Sequence, residues 1–417
     1  MTDPATLHAA SDAFDAERVR AEFPILARPV RGKPLAFLDS AASAQKPQSV
    51  IDAVARVYSE EYANVHRGVY YLSERASTAY EGVRAKVRAL INAERDSEIV
   101  FTSGTTEGIN LVAHSFGRAH LGRGDEVLLT EMEHHSNIVP WQLLRDETGV
   151  ALKVAPIDDD GVLDMDAFER LLTRRTKLVA VTQVANALGT VTPLKEITAR
   201  AHAVGAKVLV DGAQGAPHLP TDVREIGCDF YAFSGHKLYG PTGTGALYAR
   251  ADLLAAMPPW KGGGDMIRSV TFAHTDFAEP PHRFEAGTPN IAGIIGMGAA
   301  IDWFMGLDRV ALEAHEQDLL NYGTAQLAAL PGLRMIGTAP DKVAVMGFVL
   351  DYVHPHDAGT VLDHEGVAVR AGHHCAQPVM EHFGVAATIR ASIGAYSTRA
   401  DIDALVAGLA KVRELFG

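Results

Sequence analysis

The sequence predicts an α/β protein built on a largely parallel sheet that is covered on both faces. Two observations carry this. Between about residues 98 and 249, short apolar runs recur as strand candidates: Glu98–Thr102, Glu126–Thr130, Lys177–Thr182, Lys207–Asp211, Asp229–Ser234 and Gly245–Ala249. Helix-length segments separate most of them, and the runs are continuously apolar rather than alternating. That is the pattern of strands buried on both sides. Sheets of this kind present ligands at the carboxyl ends of their strands, so the residues just after each run are where chemistry is sought.

After about residue 295 the pattern changes. A helical stretch over about Trp303–Leu330 stops at Pro331-Gly332. Strand-like runs follow at Lys342–Leu350 and Gly366–Arg370, and Arg399–Phe416 repeats apolar residues at helical spacing. This predicts a smaller α+β domain. The expected division is a large domain over 30–295 and a small one made from 1–29 plus 296–417.

Composition narrows the function classes. The 417 residues are 47% hydrophobic and 21% charged, which disfavours disordered and fibrous architectures. Lys and Arg number 38 against 51 Asp and Glu, a formal charge of −13, so bulk nucleic-acid binding is not expected. The longest apolar run, Ile291–Ile301, falls short of the ~20 residues a membrane span needs. The stretch from Asp12 to Arg18 does not read as a secretion signal. Two cysteines cannot form a disulfide framework and suit a reducing compartment. A soluble, cytoplasmic protein is expected.

Several strand ends carry residues able to do chemistry. Ser103-Gly104-Thr105-Thr106 opens an apolar helical run and reads either as a phosphate seat or as a capped helix start. Asp211 ends one apolar run, as a ligand-facing acid or as a cap. Lys237 closely follows another, about one βα repeat later, where a lysine is costly unless exposed or used. A phosphate seat, a strand-end acid and a strand-end lysine together are what pyridoxal phosphate requires. The lysine holds the aldehyde, the acid keeps the ring nitrogen protonated, and the turn holds the phosphate.

His134, in Glu133-His134-His135, sits where it could stack on an aromatic cofactor and move protons; a zinc pair is the alternative. Cys375 lies in Arg370-Ala371-Gly372-His373-His374-Cys375, a loop whose positive neighbours favour thiolate, against the alternatives of an inert cysteine or a zinc ligand. Cys228 precedes an apolar strand and fits the inert role. Arg390 is an isolated charge in a strand-like apolar run, suited to a substrate carboxylate or to a structural salt bridge.

These motifs extend into longer blocks: Phe37–Pro47 (FLDSAASAQKP), Asn64–Gly68 (NVHRG), Gly104–Asn110 (GTTEGIN), Met132–Trp141, Asp211–Gln214, Ser234–Gly243 (SGHKLYGPTG), Phe284–Asn290 (FEAGTPN) and Arg370–Pro378 (RAGHHCAQP). With them the chain resembles the SufS-type cysteine desulfurases, within the class V aminotransferases of the pyridoxal-phosphate fold type I superfamily, from about Phe14 to the C-terminus.

The resemblance implies a mainly parallel seven-stranded sheet in the large domain and pyridoxal 5'-phosphate as cofactor. It implies that Lys237 is the imine lysine, that Asp211 pairs with the ring nitrogen, and that Gln214 and Asn186 lie near the ring hydroxyl. Thr105, Thr106, Ser234 and His236 would hold the phosphate. Thr288 would reach the phosphate of a partner subunit in a homodimer. His134 would stack on the ring. Arg390, helped by Arg370 and Asn186, would take the substrate carboxylate, and Cys375 would receive sulfur. The implied reaction turns L-cysteine into L-alanine and leaves a persulfide on Cys375. An acceptor of SufU or SufE type then takes the sulfur for iron–sulfur cluster assembly, and selenocysteine is an implied side substrate. No intrinsic metal is implied, although His356 resembles a position that can ligate the zinc of a scaffold-like acceptor.

Overall fold

The structure, a computed structural model, describes residues 14–417. Asp12, Ala13 and the first part of the expected small domain lie outside the described residues.

The chain first makes a short strand, β1 (Ala36–Phe37). The apolar runs then form the main sheet from β2 (Ile99–Thr102), β3 (Glu126–Thr130), β4 (Ala151–Ala155), β5 (Thr176–Thr182), β6 (Lys207–Asp211), β7 (Phe230–Ser234) and β8 (Gly245–Ala249). Their spatial order is β2-β8-β7-β6-β5-β3-β4. The pairs among β4, β3, β5, β6 and β7 are parallel, whereas β8 runs antiparallel to both of its neighbours. The seven-stranded, mainly parallel sheet is therefore present. Every residue of β2, β3, β7 and β8 is buried, as continuous apolar runs require. β4 is the strand that the sequence pattern does not reveal. It lies at the sheet edge, is mostly half-exposed or exposed, and carries Lys153 in mid-run.

The helical stretch expected over Trp303–Leu330 is two helices, Ile291–Met305 and Arg309–Ala328, bent 84° to one another. Asp308 supplies the reason. Its carboxylate accepts hydrogen bonds from the backbone N–H of Val310 and Ala311 (3.1 and 3.0 Å) and starts the second helix afresh. The first of the pair is apolar nearly all round because it is buried, packing on helices Gln48–Arg56 and Tyr71–Ile91. A Cβ at Gly296 would lie 2.5 Å from Val54, so this close approach requires glycine. Among the described residues, no single helix is long and apolar enough to cross a membrane.

Strands β9 (Ile267–Val270) and β10 (Thr275–Phe277) form an exposed hairpin. A second sheet follows from β11 (Leu333–Ile336), β12 (Val345–Leu350), β14 (Arg370–Gly372) and β15 (Thr388–Ser392), in the antiparallel order β11-β12-β15-β14. Strand β13 (Val367–Ala368) pairs in parallel with β1. Ala36 and Leu38 consequently share a core with Phe348, Ile389 and Leu405. The chain from Leu38 to Ala42 thus runs from the core of the second sheet towards the carboxyl ends of the first, where Ala41 lines the same cavity as Asp211.

Candidate active site

The carboxyl ends of β2, β3, β5, β6 and β7 face the loops of the second sheet around a cavity of about 260 Å³. Its lining includes Thr105, Thr106, His134, Asn186, Asp211, Gln214, Ser234, His236, Lys237, Arg370, Cys375 and Arg390. Most of the side chains singled out from the sequence therefore meet in one place. Thr288 and His356 do not. Thr288 lines a separate cavity of about 220 Å³ with Ser103, Lys261 and Glu285. His356 lies in the exposed first turn of helix Pro355–His364.

The turn after β2 is shaped as an anion seat. Gly104 has φ +147°, and a Cβ there would lie 3.0 Å from Ser234 Oγ. Ser234 Oγ accepts the Thr105 N–H at 2.9 Å and lies 2.8 Å from Thr105 Oγ1, tying the turn to the end of β7. Thr106 is exposed in the first turn of helix Thr105–Val112, whose free N–H groups favour an anion. Beside it, burial and the neighbouring Lys237 and Lys46 lower the pKa of His236 to about 4.

Asp211 is buried at the end of β6, and Oδ1 accepts the Ala213 N–H at 2.9 Å. Burial raises its pKa, while that hydrogen bond and Lys237 oppose the rise. Burial lowers the Lys237 pKa to about 8 even though Asp211 pulls the other way. A substantial share of the amine is therefore unprotonated just above neutrality.

His134 is held by its own loop. Its Nδ1 accepts the Ser136 N–H at 3.0 Å, which leaves the proton of the neutral ring on Nε2. Burial first, then Lys237, His135 and Arg390, lower its pKa to about 3. Beneath it Glu133 is fully buried and takes hydrogen bonds from Thr130 Oγ1, Asn137 Nδ2 and Thr182 N (2.6, 2.7 and 2.9 Å). Glu133 was not singled out from the sequence; its position beside the histidine pair was the available signal.

Across the cavity, Cys375 is exposed and, like His374, has φ +54°. This is a left-handed conformation that costs a non-glycine residue of order 1 kcal/mol or more. Its loop is pinned by its backbone. The Cys375 carbonyl accepts the His135 N–H at 2.7 Å, and the His374 carbonyl accepts Asn186 Nδ2 at 2.6 Å. Arg390 is buried and donates from Nη1 to the Asn186 carbonyl at 3.0 Å. Asp39, also missed in the sequence, accepts from Arg370 and Arg390 together. Its signal was an acid directly after the short apolar run of β1. Cys228 is buried, and burial pushes its thiol pKa up.

Two comparisons define the class. The chain belongs to the aminotransferase class-V family, whose model matches residues 36–405. Its relatives within that family are cysteine desulfurases. One from Dickeya dadantii is 55% identical over 405 residues, covering 97% of this chain and 98% of its own. The crystal structure of the cysteine desulfurase CsdA from Escherichia coli, in an S-sulfonic acid form, superposes with a TM-score of 0.91 at 41% identity, covering 97% of this chain and all of its own. The apo structure of the cysteine desulfurase from Thermococcus onnurineus NA1 gives 0.90 at 37% identity, covering 95% of this chain and 97% of its own.

Pyridoxal 5'-phosphate is the cofactor of this fold and family, and the residues present fit it. Asn186 Oδ1 and Gln214 Oε1 are buried acceptors without a protein partner, and both residues line the cavity. Such orphans cost about 1–3 kcal/mol each unless a donor reaches them. The turn at Thr105 and Thr106, the buried acid Asp211 and Lys237 with its lowered pKa lie around the same space. Outside the cavity, His66, Glu81 and His282 bring metal-type ligand atoms together, but Glu81 is already gripped by Arg84 (2.7 and 3.2 Å).

Proposed function

We propose that this chain is a SufS-type cysteine desulfurase that turns L-cysteine into L-alanine, captures the sulfur as a persulfide on Cys375, and hands it to an acceptor protein for iron–sulfur cluster assembly. One observation carries the reading: Lys237, from the end of the parallel sheet, and Cys375, from a loop of the second sheet, line one cavity with a phosphate seat and an arginine pair.

The roles follow from the contacts. Thr105, Thr106, Ser234 and His236 hold the phosphate group, and Asp211 holds a proton on the ring nitrogen. Gln214 and Asn186, whose side-chain oxygens have no protein partner, would receive the ring hydroxyl. Pyridoxal phosphate, when bound, supplies an aldehyde for amines and a ring that withdraws electrons from the substrate Cα. Lys237 is the amine that would hold that aldehyde and the base placed to take a proton from the substrate Cα. Arg390 and Arg370 bind the substrate carboxylate, assisted by Asn186. His134 lines the same cavity, would stack on the ring, and carries its proton on Nε2. The Cys375 thiolate attacks the substrate sulfur: an S–S bond forms, the Cβ–S bond breaks, and Cβ gains a proton to give alanine.

The finer parts of the reading rest on single features. A homodimer is supported by Thr288 standing apart from the Lys237 cavity and by the exposed aromatics Tyr58, Tyr62, Tyr70 and Tyr71. A reducing, cytoplasmic setting is supported by two free cysteines. A zinc-bearing SufU-type acceptor, in preference to a SufE-type one, is supported by the exposed His356; His356→Ala should then abolish stimulation by such an acceptor. Selenocysteine is a side substrate whose better leaving group lessens the need for Cys375, so Cys375→Ala should retain selenocysteine turnover.

The test of the main reading is purified protein given L-cysteine. The expected result is a coloured protein that forms alanine and a Cys375-bound persulfide. Colourless protein that pyridoxal phosphate cannot reconstitute, or undiminished turnover of L-cysteine by Cys375→Ala, overturns it.

A further inference from the structure

Arg370 and Arg390 are direct cross-strand partners in the register of β14 and β15. Two like charges in that position repel and destabilise the pair. Arg390 is also almost entirely buried, so its charge cannot escape to solvent. Asp39 stands between them. It accepts from Arg370 in a two-pronged grip, Nε to Oδ1 at 3.1 Å and Nη2 to Oδ2 at 2.9 Å. Arg390 Nη2 reaches the same Oδ1 at 3.4 Å.

The backbone fixes where Asp39 stands. It forms a parallel bridge with Ser392, two residues beyond Arg390. The next residues hold that placement: Ser40 Oγ lies 2.8 Å from the Tyr396 hydroxyl, and the Ala41 N–H donates to Ser392 Oγ at 2.9 Å. The Ala41 carbonyl then accepts Gln214 Nε2 at 2.6 Å. The arrangement leaves Arg390 Nε without a protein partner. Two guanidinium groups and one carboxylate leave a single positive charge, which suits one substrate carboxylate.

We infer that Asp39 is a positioning residue that holds Arg370 and Arg390 side by side as one carboxylate-binding pair, and thereby sets the preference for an α-amino acid over an amine without the carboxylate. This rests on the reading of the two arginines given above. Asp39 acts through them: without it Arg370, half-exposed, turns away from the second cation.

The test compares holoenzyme variants for inhibition by L-alanine and by ethylamine, which differ only in the carboxylate, with direct calorimetry of L-alanine binding. In Asp39→Asn the affinity for L-alanine should fall about tenfold relative to ethylamine, with the change in L-cysteine turnover mostly in KM. Asp39→Glu should recover most of the loss. Equal losses for both ligands, or unchanged L-alanine binding, overturn the inference. Should Asp39→Asn not fold, Asp39→Asn combined with Arg370→Gln, which removes the repelling charge, replaces it. That double variant should lose no more than Arg370→Gln alone, and additive losses overturn the inference. Arg390→Gln separates the two readings. If it leaves the L-alanine to ethylamine ratio unchanged, the arginine assignment itself fails; if only the Asp39 variants leave it unchanged, the assignment stands and this inference falls.

Discussion

The two sides of the cavity are built differently. The Lys237 side stands on strands that are buried except for Lys207 at the start of β6, and Asp211, Ser234 and Thr105 are bonded into it. The Cys375 side is a loop whose residues alternate between exposed (His373, Cys375, Gln377) and buried (His374, Ala376), with two consecutive left-handed residues, held by two backbone carbonyls and by His135 Nε2 accepting the Gln377 N–H at 3.1 Å. The difference teaches a division of labour. A group that holds a cofactor benefits from rigidity, whereas a thiol with the proposed role of meeting first a substrate and then another protein is better served by a loop.

Breaking the rigid side has the largest expected effect. Lys237→Ala should lose the visible absorbance of the lysine-bound cofactor and reduce L-cysteine turnover by about 10²–10⁴-fold, checked by spectrum and alanine assay. Cys375→Ala should keep that absorbance and melt close to the parent temperature, yet form no persulfide, checked by mass spectrometry after L-cysteine. A matching loss of absorbance would erase the contrast between the two sides.

The contrast sharpens with pH and with the loop anchors. In the proposed role Lys237 attacks as the neutral amine, and burial lowers its pKa to about 8 from 10.5. Below that value the reactive fraction rises about tenfold per pH unit, so reconstitution of cofactor-free protein should accelerate from pH 6 to 8 and level off above it. A profile still climbing at pH 10 would contradict the lowered value. Asn186→Ala removes the hydrogen bond to the His374 carbonyl, worth about 1–3 kcal/mol if that group is left unpaired. Faster amide exchange in 373–377, without change around Ser234, is the expected signature. The smallest effect belongs to the second cysteine. Cys228→Ala should leave turnover unchanged and cost about 1 kcal/mol of stability, and iodoacetamide should label Cys375 long before Cys228.

Much of this was legible before any coordinates. The apolar runs announced the buried strands, and the strand-end positions of Asp211 and Lys237 announced the site. Edge strand β4 escaped because an edge does not require a continuous apolar run. The break between the helices 291–305 and 309–328 escaped because both are apolar enough to read as one, and the capping role of Asp308 depends on local geometry. Asp39 and Glu133 escaped because their signals were weak: Asp39 follows a strand of only two residues, and Glu133 sits beside the histidine pair without a partner of its own in sequence.

Local chemistry, written in the order of residues, was enough to determine the sheet and to place the turn at Thr105 and Thr106, Asp211 and Lys237 at strand ends. Strand burial and helix starts depend on neighbours close along the chain. Only the tertiary structure decided that Cys375 and the arginine pair face Lys237, that Asp39 lies between those arginines, and that Thr288 stands in another cavity. Those relations depend on how the second sheet docks on the first and on β1 crossing to pair with β13, contacts between segments hundreds of residues apart that no local pattern encodes.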